Sequence, residues 1–230
     1  MLTSTTPAYQ NPALTADIVV FGYTRGQLSV LLLNRKEQPF INEWTLPGGF
    51  VALNHTLQQT CQRVLRDKLG MDSLYLEQVY TFDQPGRDPR GHVVSVAYYS
   101  LVNPNDLHVA AGTMANDVRW FPVNDLPVLA FDHTHIFNIA LQRLRAKIQY
   151  QPVGFQLLNE LFTMPELHEL YECILATEID RRNFARKVQD AGLVIATGER
   201  RNSVRNRQPE LFRFNQSLIH SNFHLNISHQ

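Results

Sequence analysis

The chain has 230 residues, of which 44% are hydrophobic, and its 21 basic residues balance its 21 acidic residues. That length allows one large domain or two small ones, and the hydrophobic fraction is ordinary for a globular protein. The longest apolar runs are far too short to span a bilayer, and the N-terminus lacks the features of a signal peptide. The two cysteines fit no metal-binding spacing. We expect a cytoplasmic protein with reduced thiols.

Charge is distributed unevenly along the chain. Residues 181–213 carry nine Lys and Arg against three Asp and Glu, a net charge of +6, and the rest of the chain carries −6. Segregation of this kind indicates a basic working surface on an otherwise acidic protein.

The N-terminal part alternates strand-like and helical patterns. Thr56 and Gly70 supply the N-cap and the terminating glycine of a first helix, which follows a glycine-containing loop at 44–51. The predicted strands cover 17–24, 28–35, 74–82, 92–102 and 118–123, and the predicted helices cover 57–69 and about 135–148.

The pattern changes to short helices after a junction at 149–154. A helix at 162–175 begins with a capping box, in which Glu166 follows Thr163 by three residues. A second short helix covers 181–190, with an aspartate before it and a glycine after it.

Two strand-like runs, 193–198 and 210–214, enclose a loop with four arginines. Two helices followed by a basic loop between strands is the order of a winged helix-turn-helix. We therefore predict an α+β chain with a ligand-sensing domain at 1–150 and a winged helix DNA-binding domain at 151–230.

The loop WTLPGGFV and the helix after it resemble the Nudix box. Counted from Gly49, the arginine, apolar and glycine positions of that box are kept at Arg63, Leu65 and Gly70. This resemblance implies an N-terminal Nudix domain, an α/β/α sandwich. The glutamate positions of the box hold other residues, namely His55, Val64, Asp67 and Lys68.

The missing acids argue against metal-dependent hydrolysis. Residues 64, 67 and 68 share one helix face, where three carboxylates would bind magnesium, but Val64 offers no oxygen and Lys68 adds a positive charge. Without the metal, neither water nor pyrophosphate is activated. We therefore predict no metal site, no catalytic residue and a pocket that binds a nucleotide diphosphate uncleaved. Two other readings stay open: acids elsewhere replace the missing ones, or Lys68 substitutes for part of the metal's charge.

The loop GRDPRG at 86–91 is a second sign of phosphate binding. The forks of Arg87 and Arg90 suit phosphate oxygens, and Asp88 suits ribose hydroxyls. The alternative is an Asp–Arg pair that stiffens a hairpin. Trp44 either stacks on a base or packs in the core. The segment FDH at 131–133 either lines the pocket or caps a helix through Asp132. The predicted ligand-binding residues are Arg35, Trp44, Gly48, Gly49, Phe50, Lys68, Arg87, Asp88, Arg90 and Asp132.

The helix at 181–190 has a basic outer face. Phe184 and Val188 are four residues apart and point inward, which leaves the arginines outside. Arginines in a first helical turn oppose the helix dipole, so phosphate contact explains their placement better than stability does. The alternative is a solvated basic face. The predicted DNA-binding residues are Thr163, Arg181, Arg182, Asn183, Arg186, Lys187, Gln189, Arg200, Arg201, Arg205 and Arg207.

From about residue 14 to about residue 215, the chain resembles the Nudix-related, NrtR-like repressors of NAD metabolism. The segments RDPRG and DRRNFARK carry this resemblance most specifically. It implies a homodimer that binds a palindromic operator and is released when the effector ADP-ribose occupies the pocket, with no cofactor. The rivals are an active ADP-ribose pyrophosphatase and a regulator that senses another phosphorylated or sugar metabolite.

Overall fold

The computed structural model describes residues 11–70, 75–106, 115–201 and 208–218. Three predicted site residues fall outside that description: Arg205 and Arg207 entirely, and Lys68 in its side chain. None of the helices in the described ranges has the length and apolar content needed to span a membrane.

A seven-stranded mixed sheet forms the centre of the N-terminal part, with one helix on each face. Its elements are β1 (Ala13–Thr24), β2 (Gln27–Arg35), β3 (Trp44–Thr45), β4 (Gly48–Phe50), α1 (Leu57–Leu69), β5 (Glu77–Phe82), β6 (Val93–Val102), β7 (Ala115–Pro122) and α2 (His133–Lys147). The strand order is β3-β2-β1-β6-β5, with β4 also paired to β1 and β7 to β2.

The central strand β1 has different neighbours at its two ends. One edge pairs in parallel with β6 along its length. The other edge pairs with β4 at residues 15–17 and with β2 at residues 21–24. The second half of β2 therefore leaves β1, and a cavity opens between β2 and β4.

Alternate residues of β1 face opposite layers of the fold. Ile18 and Val20 pack with Val64 and Leu65 of α1, whereas Val19 and Phe21 pack with apolar residues of α2. Both faces of the strand are buried, which explains its nearly continuous hydrophobic sequence. The predicted α/β/α sandwich is confirmed.

The first helix begins and ends at the predicted residues. The Thr56 hydroxyl accepts a hydrogen bond from the Gln59 amide at 3.1 Å, and Gly70 closes α1 in the left-handed conformation with φ 69°. α2 begins at His133, two residues before the predicted start, and the Asp132 side chain makes no capping bond. The prediction that the Asp132 side chain caps this helix is therefore wrong.

The C-terminal part contains α3 (Met164–Leu175), α4 (Arg181–Asp190), β8 (Val194–Arg200) and β9 (Glu210–Phe214). The predicted capping box of α3 is present. β8 and β9 form an antiparallel hairpin, and Phe162 exchanges two backbone hydrogen bonds with Phe212 of β9, at 3.0 and 2.8 Å. The predicted winged helix-turn-helix is confirmed.

The turn between α3 and α4 is fixed by side chains of α3. Ala176 ends α3 in the left-handed region with φ 52°. The Ile179 carbonyl lies 2.7 Å from His168 Nε2, and the Ile179 amide donates to Glu172 at 2.9 Å. Phe184 of α4 is buried as predicted, so the opposite face of α4 points away from the core.

One hydrophobic core extends through both parts of the chain. Arg145 of α2 donates to the Ile174 carbonyl of α3 at 2.8 Å, and the Leu28 amide of β2 contacts the Cys173 sulfur at 3.2 Å. The elements that border the cavity are therefore packed directly on the winged helix. A domain boundary at 150/151 stays a prediction.

Candidate functional site

A cavity of about 430 Å³ lies between the separated strands and α1. Seven of the predicted ligand-binding residues line it: Arg35, Gly48, Gly49, Phe50, Arg87, Asp88 and Arg90. The split of the sheet at β1 brings these distant segments together.

Cations and aromatic rings alternate along one wall of the cavity. The Arg35 guanidinium lies 5.0 Å from the ring centre of Phe131. The Arg90 guanidinium lies 5.5 Å from the same ring centre and 4.8 Å from the ring centre of Phe50. Burial and then the charge of Arg90 lower the pKa of Arg35. An anion bound beside both guanidinium groups would relieve that repulsion. Sequence reasoning named Phe131 only as part of the segment FDH at 131–133, and did not include it among the predicted ligand-binding residues.

Asp88 is not available for a ribose. Its carboxylate is buried and accepts three side-chain hydrogen bonds from Arg90, at 2.6, 2.9 and 3.2 Å, and one from the Arg90 amide. Burial would raise the pKa of Asp88, but the bonds from Arg90 outweigh it and lower the pKa. The alternative prediction, an Asp–Arg pair within the hairpin, describes this contact correctly.

Arg87 is also engaged within the protein. Its side chain is 4% exposed and forms a two-pronged pair with Asp132, at 2.6 and 2.8 Å, and lies 3.6 Å from Asp17. One guanidinium thus balances two partly or fully buried carboxylates. We correct the predictions for Arg87 and Asp132 accordingly: both hold the cavity wall, and neither presents a free group to a ligand.

A buried polar network lines the inner part of the cavity, and sequence reasoning named only its histidine, within the segment FDH. Asp17 accepts a hydrogen bond from the Ser95 hydroxyl at 2.6 Å and lies 3.8 Å from His133 Nε2. His133 Nδ1 accepts from the Leu46 amide at 3.0 Å and lies 2.8 Å from the Thr45 hydroxyl. Burial lowers the pKa of His133, which keeps the ring neutral. The available signal was Asp17 at the start of a predicted strand that continues with apolar residues.

Trp44 lies outside the cavity, which corrects its prediction as a ligand-binding residue. Its ring packs edge-on against Phe121 at 4.7 Å, with the Arg119 guanidinium 5.7 Å away, and does not line the cavity. Trp44 therefore packs against the partly buried edge of the core, as the alternative held, and does not stack on a base from the cavity.

The face of α1 that corresponds to the glutamates of the Nudix box presents one apolar and one acidic side chain among the described residues. Val64 is buried, and Asp67 lines the cavity but is more than half exposed. Arg63 donates to the Phe50 carbonyl at 2.9 Å, so the box arginine still holds β4. Within the described ranges, no three His, Cys, Asp or Glu residues are placed to share a metal ion.

Residue 48 has to be a glycine, because the Asp17 carboxylate occupies the space that a side chain at this position would need. A methyl group at residue 48 would lie 1.9 Å from Asp17 Oδ1, whereas one at Gly49 would lie 3.1 Å from a methyl of Val64. We expect Gly48→Ala to lower the free energy of unfolding by about 1–3 kcal/mol, measured by urea denaturation. Gly49→Ala is the graded control and should cost less. Equal, parent-like stability of both variants would contradict this explanation.

The outer face of α4 carries most of the predicted DNA-binding residues. Four of them are exposed, and Asn183 and Lys187 are half-buried. The first turn of α4 contains no acid. Arg200, at the end of β8, is also exposed. The exposed four on α4 are Arg181, Arg182, Arg186 and Gln189.

Two predicted DNA contacts are engaged elsewhere. Thr163 is 5% exposed, and its hydroxyl takes part in the capping box with Glu166. Arg201 forms an ion pair with Glu166 and donates to the Leu161 carbonyl at 3.2 Å. We therefore withdraw Thr163 and Arg201 from the predicted interface, because both stabilise the junction between the β8–β9 hairpin and α3.

Comparisons with known families match both parts of the chain. A model of the NUDIX domain matches residues 12–140, and a model of the NrtR DNA-binding winged helix domain matches residues 154–214. The chain is 34% identical over 211 residues to the ADPR-responsive transcriptional repressor NtrR of Acinetobacter baylyi, covering 90% of this chain and 83% of the relative.

Solved structures of Shewanella oneidensis NrtR are similar to the chain. The complex of that protein with a 27mer DNA superposes with a TM-score of 0.81 at 36% identity, covering 91% of this chain and 97% of the other. Its NUDIX domain complexed with ADP ribose superposes with a TM-score of 0.54 at 37% identity, covering 60% and 91%.

The chain is also similar to an enzyme over about half of its length. The chain is 34% identical over 130 residues to the ADP-ribose pyrophosphatase of Methanocaldococcus jannaschii, covering 56% of this chain and 73% of the enzyme.

Proposed function

The chain belongs to the NrtR family of Nudix-related transcriptional repressors, and we propose that ADP-ribose bound in its Nudix domain releases it from DNA. The observation that carries the proposal is the pairing of two surfaces in one packed molecule. One is the cavity, in which Arg35 and Arg90 both lie within 5.5 Å of the Phe131 ring centre, and the other is the exposed basic face of α4.

Binding of ADP-ribose is supported by the charge and shape of the cavity. A diphosphate has the charge to lie between the Arg35 and Arg90 guanidinium groups, which already repel each other. The exposed ring of Phe50, beside Arg90, offers a flat apolar surface for a base. We assign ligand binding to Arg35, Arg90, Phe50 and Phe131, with Gly48 and Gly49 in the adjoining loop. Relatives named for ADPR and ADP ribose favour this ligand over a sugar metabolite.

DNA binding is supported by the orientation of the basic face of α4, which points away from the core. Its inward residues are buried in the core, so its arginines project outward together. Arginine forks suit guanine edges and phosphates in the major groove. We infer further that the protein is a cytoplasmic homodimer, that its operator is palindromic and that its targets are genes of NAD biosynthesis or salvage.

The experiment that tests this function measures DNA binding with and without ADP-ribose. A duplex is first selected from a random pool by the full chain, and its affinity is then measured by fluorescence anisotropy. We expect tight, salt-sensitive binding that ADP-ribose weakens. Failure to enrich any duplex would refute DNA binding, and enrichment without an ADP-ribose effect would refute the sensing role alone.

We also infer that the cavity does not cleave its ligand. Val64 cannot ligate magnesium, and Asp67 alone is a poor site, because the ion keeps its waters unless several oxygens replace them. ADP-ribose incubated with the protein and magnesium or manganese should remain intact, as measured by chromatography. Release of AMP and ribose 5-phosphate at about 1 per second or faster would contradict this and support the enzyme alternative.

A further inference from the structure

Four arginines line the cavity, and the protein itself balances the charge of only some of them. Arg87 and Arg90 form close ion pairs with aspartates. Arg35 and Arg63 form no ion pair with a carboxylate among the described residues, and the hydrogen bonds that they donate go to backbone carbonyls instead. A diphosphate that enters the cavity therefore meets two guanidinium groups whose charge its phosphates can balance.

Arg63 reaches the cavity from α1, beside the glycine-containing loop. Its guanidinium lies against Gly49, where a methyl group would be 3.6 Å from Nη2. Nη2 donates to the Phe50 carbonyl at 2.9 Å, and the Arg90 guanidinium lies 4.8 Å from the ring centre of the same phenylalanine. Two arginines therefore meet at Phe50, one at its backbone and the other at its ring.

The hydrogen-bonding capacity of Arg63 is only partly used. A guanidinium has five N–H donors, yet the described contacts give Arg63 one hydrogen bond, and its buried Nε has no acceptor. Val64 beside it offers no oxygen, and Asp67 pairs with Arg66 at 3.5 Å. An unsatisfied donor of this kind calls for an acceptor that the described residues do not supply.

We propose that Arg63 binds a phosphate group of the ligand, in addition to holding β4. This inference rests on the proposed binding of ADP-ribose and adds one residue to that site. Val64 and Asp67 offer too few oxygens for a divalent ion, so the charge of the diphosphate is balanced by the protein's own cations. The diphosphate then extends from Arg35 toward α1.

Loss of the contact with β4 is a second way in which removal of Arg63 would weaken binding. A displaced β4 moves Phe50, whose ring is the proposed surface for the base, so adenosine and ADP-ribose would lose affinity by the same factor. Loss of a phosphate contact weakens only the ligands that contain phosphate. Adenosine, inorganic pyrophosphate and ADP-ribose together therefore distinguish the two causes.

The experiment uses the full chain, with calorimetry for ADP-ribose and inorganic pyrophosphate and ligand-observed NMR for adenosine. We expect Arg63→Gln to weaken binding of the two phosphate-containing ligands by about tenfold or more, the effect of a charged hydrogen bond. Adenosine binding should stay within about twofold of the parent, since no apolar contact is removed. Arg66→Gln is the matched control and should keep all three affinities, because Arg66 is 60% exposed and does not line the cavity.

A second variant leaves the Arg63 side chain in place. Asp67 lies one helical turn after Arg63, lines the cavity and is more than half exposed, so Asp67→Asn removes a charge without removing a buried contact. With a phosphate beside Arg63, loss of this negative charge should strengthen ADP-ribose binding by about two- to fivefold. Asp83→Asn removes an exposed acid outside the cavity lining and should leave the affinity unchanged.

The outcomes for Arg63 and for the proposed effector are distinguishable. Unchanged ADP-ribose affinity in Arg63→Gln, or an equal loss for adenosine, would overturn the inference. If Arg63→Gln does not fold, Asp67→Asn decides, and an affinity equal to that of the parent would overturn it. A parent chain that binds pyrophosphate but not ADP-ribose would refute the proposed effector, and the effect of Arg63→Gln on pyrophosphate would still decide on Arg63. A parent chain that binds neither would refute both.

Discussion

Replacing Arg182 and Arg186 together with alanine should reduce affinity for the selected duplex by about 100-fold or more, because an arginine that reads a base contributes about 1–3 kcal/mol. Both side chains are exposed on α4, and Arg186 contacts only Asn183 among the described side chains, at 3.0 Å. Their loss removes no buried contact. The double variant should therefore keep its melting temperature and its response to ADP-ribose.

A matched control removes the same charge elsewhere. Arg66 and Arg119 are 60% and 66% exposed in the Nudix part, and each pairs with a neighbouring aspartate. Arg66→Ala with Arg119→Ala should bind the duplex nearly as tightly as the parent, measured by the same anisotropy titration. Equal losses in the two double variants would mean that net charge, and not α4, determines binding.

The sequence predicts the structure correctly where an element is determined by residues that are close together in the chain. The caps of α1 and α3 depend on residues three apart, and the inward face of α4 depends on Phe184 and Val188, four apart. These elements were predicted correctly, and with them the sandwich and the winged helix.

The errors concern charged side chains whose partners are distant in sequence. Arg87 pairs with Asp132, 45 residues away, and Arg201 pairs with Glu166, 35 residues away. An arginine in a loop has the same local sequence whether it binds a phosphate or a buried carboxylate. Only the sheet split, which brings β1, the GRDPRG loop and the start of α2 together, decides between them.

That distinction changes which residues test ligand binding. Removing Arg87 would leave Asp17 and Asp132 without their shared cation, and breaking such a buried pair costs about 3–5 kcal/mol. Loss of ADP-ribose binding in an Arg87 variant would therefore report unfolding of the cavity. Arg35 is a cleaner choice, because its hydrogen bonds go to the carbonyls of Pro39 and Glu37.

The second large effect is expected from Arg35→Gln combined with Asp88→Asn and Arg90→Gln. Asparagine at 88 avoids a buried unpaired charge and can still accept the bond from the residue 90 amide. Each charged hydrogen bond to the diphosphate contributes about 1.5–3 kcal/mol, so losing both guanidinium groups should weaken ADP-ribose binding by about 100-fold or more. Isothermal titration calorimetry measures this directly.

The same variant should remain on DNA when ADP-ribose is added, because the ligand no longer binds while α4 is unchanged. In the unsubstituted protein, ADP-ribose at about 100 times its Kd should stabilise the fold by about 2.7 kcal/mol, and this thermal shift should vanish in the variant. Arg119→Gln removes an arginine stacked on Trp44 outside the cavity and should keep both responses. Release of the triple variant from DNA by ADP-ribose at the parent's concentration would place the effector site elsewhere, since no other pair of cations flanks Phe131 among the described contacts.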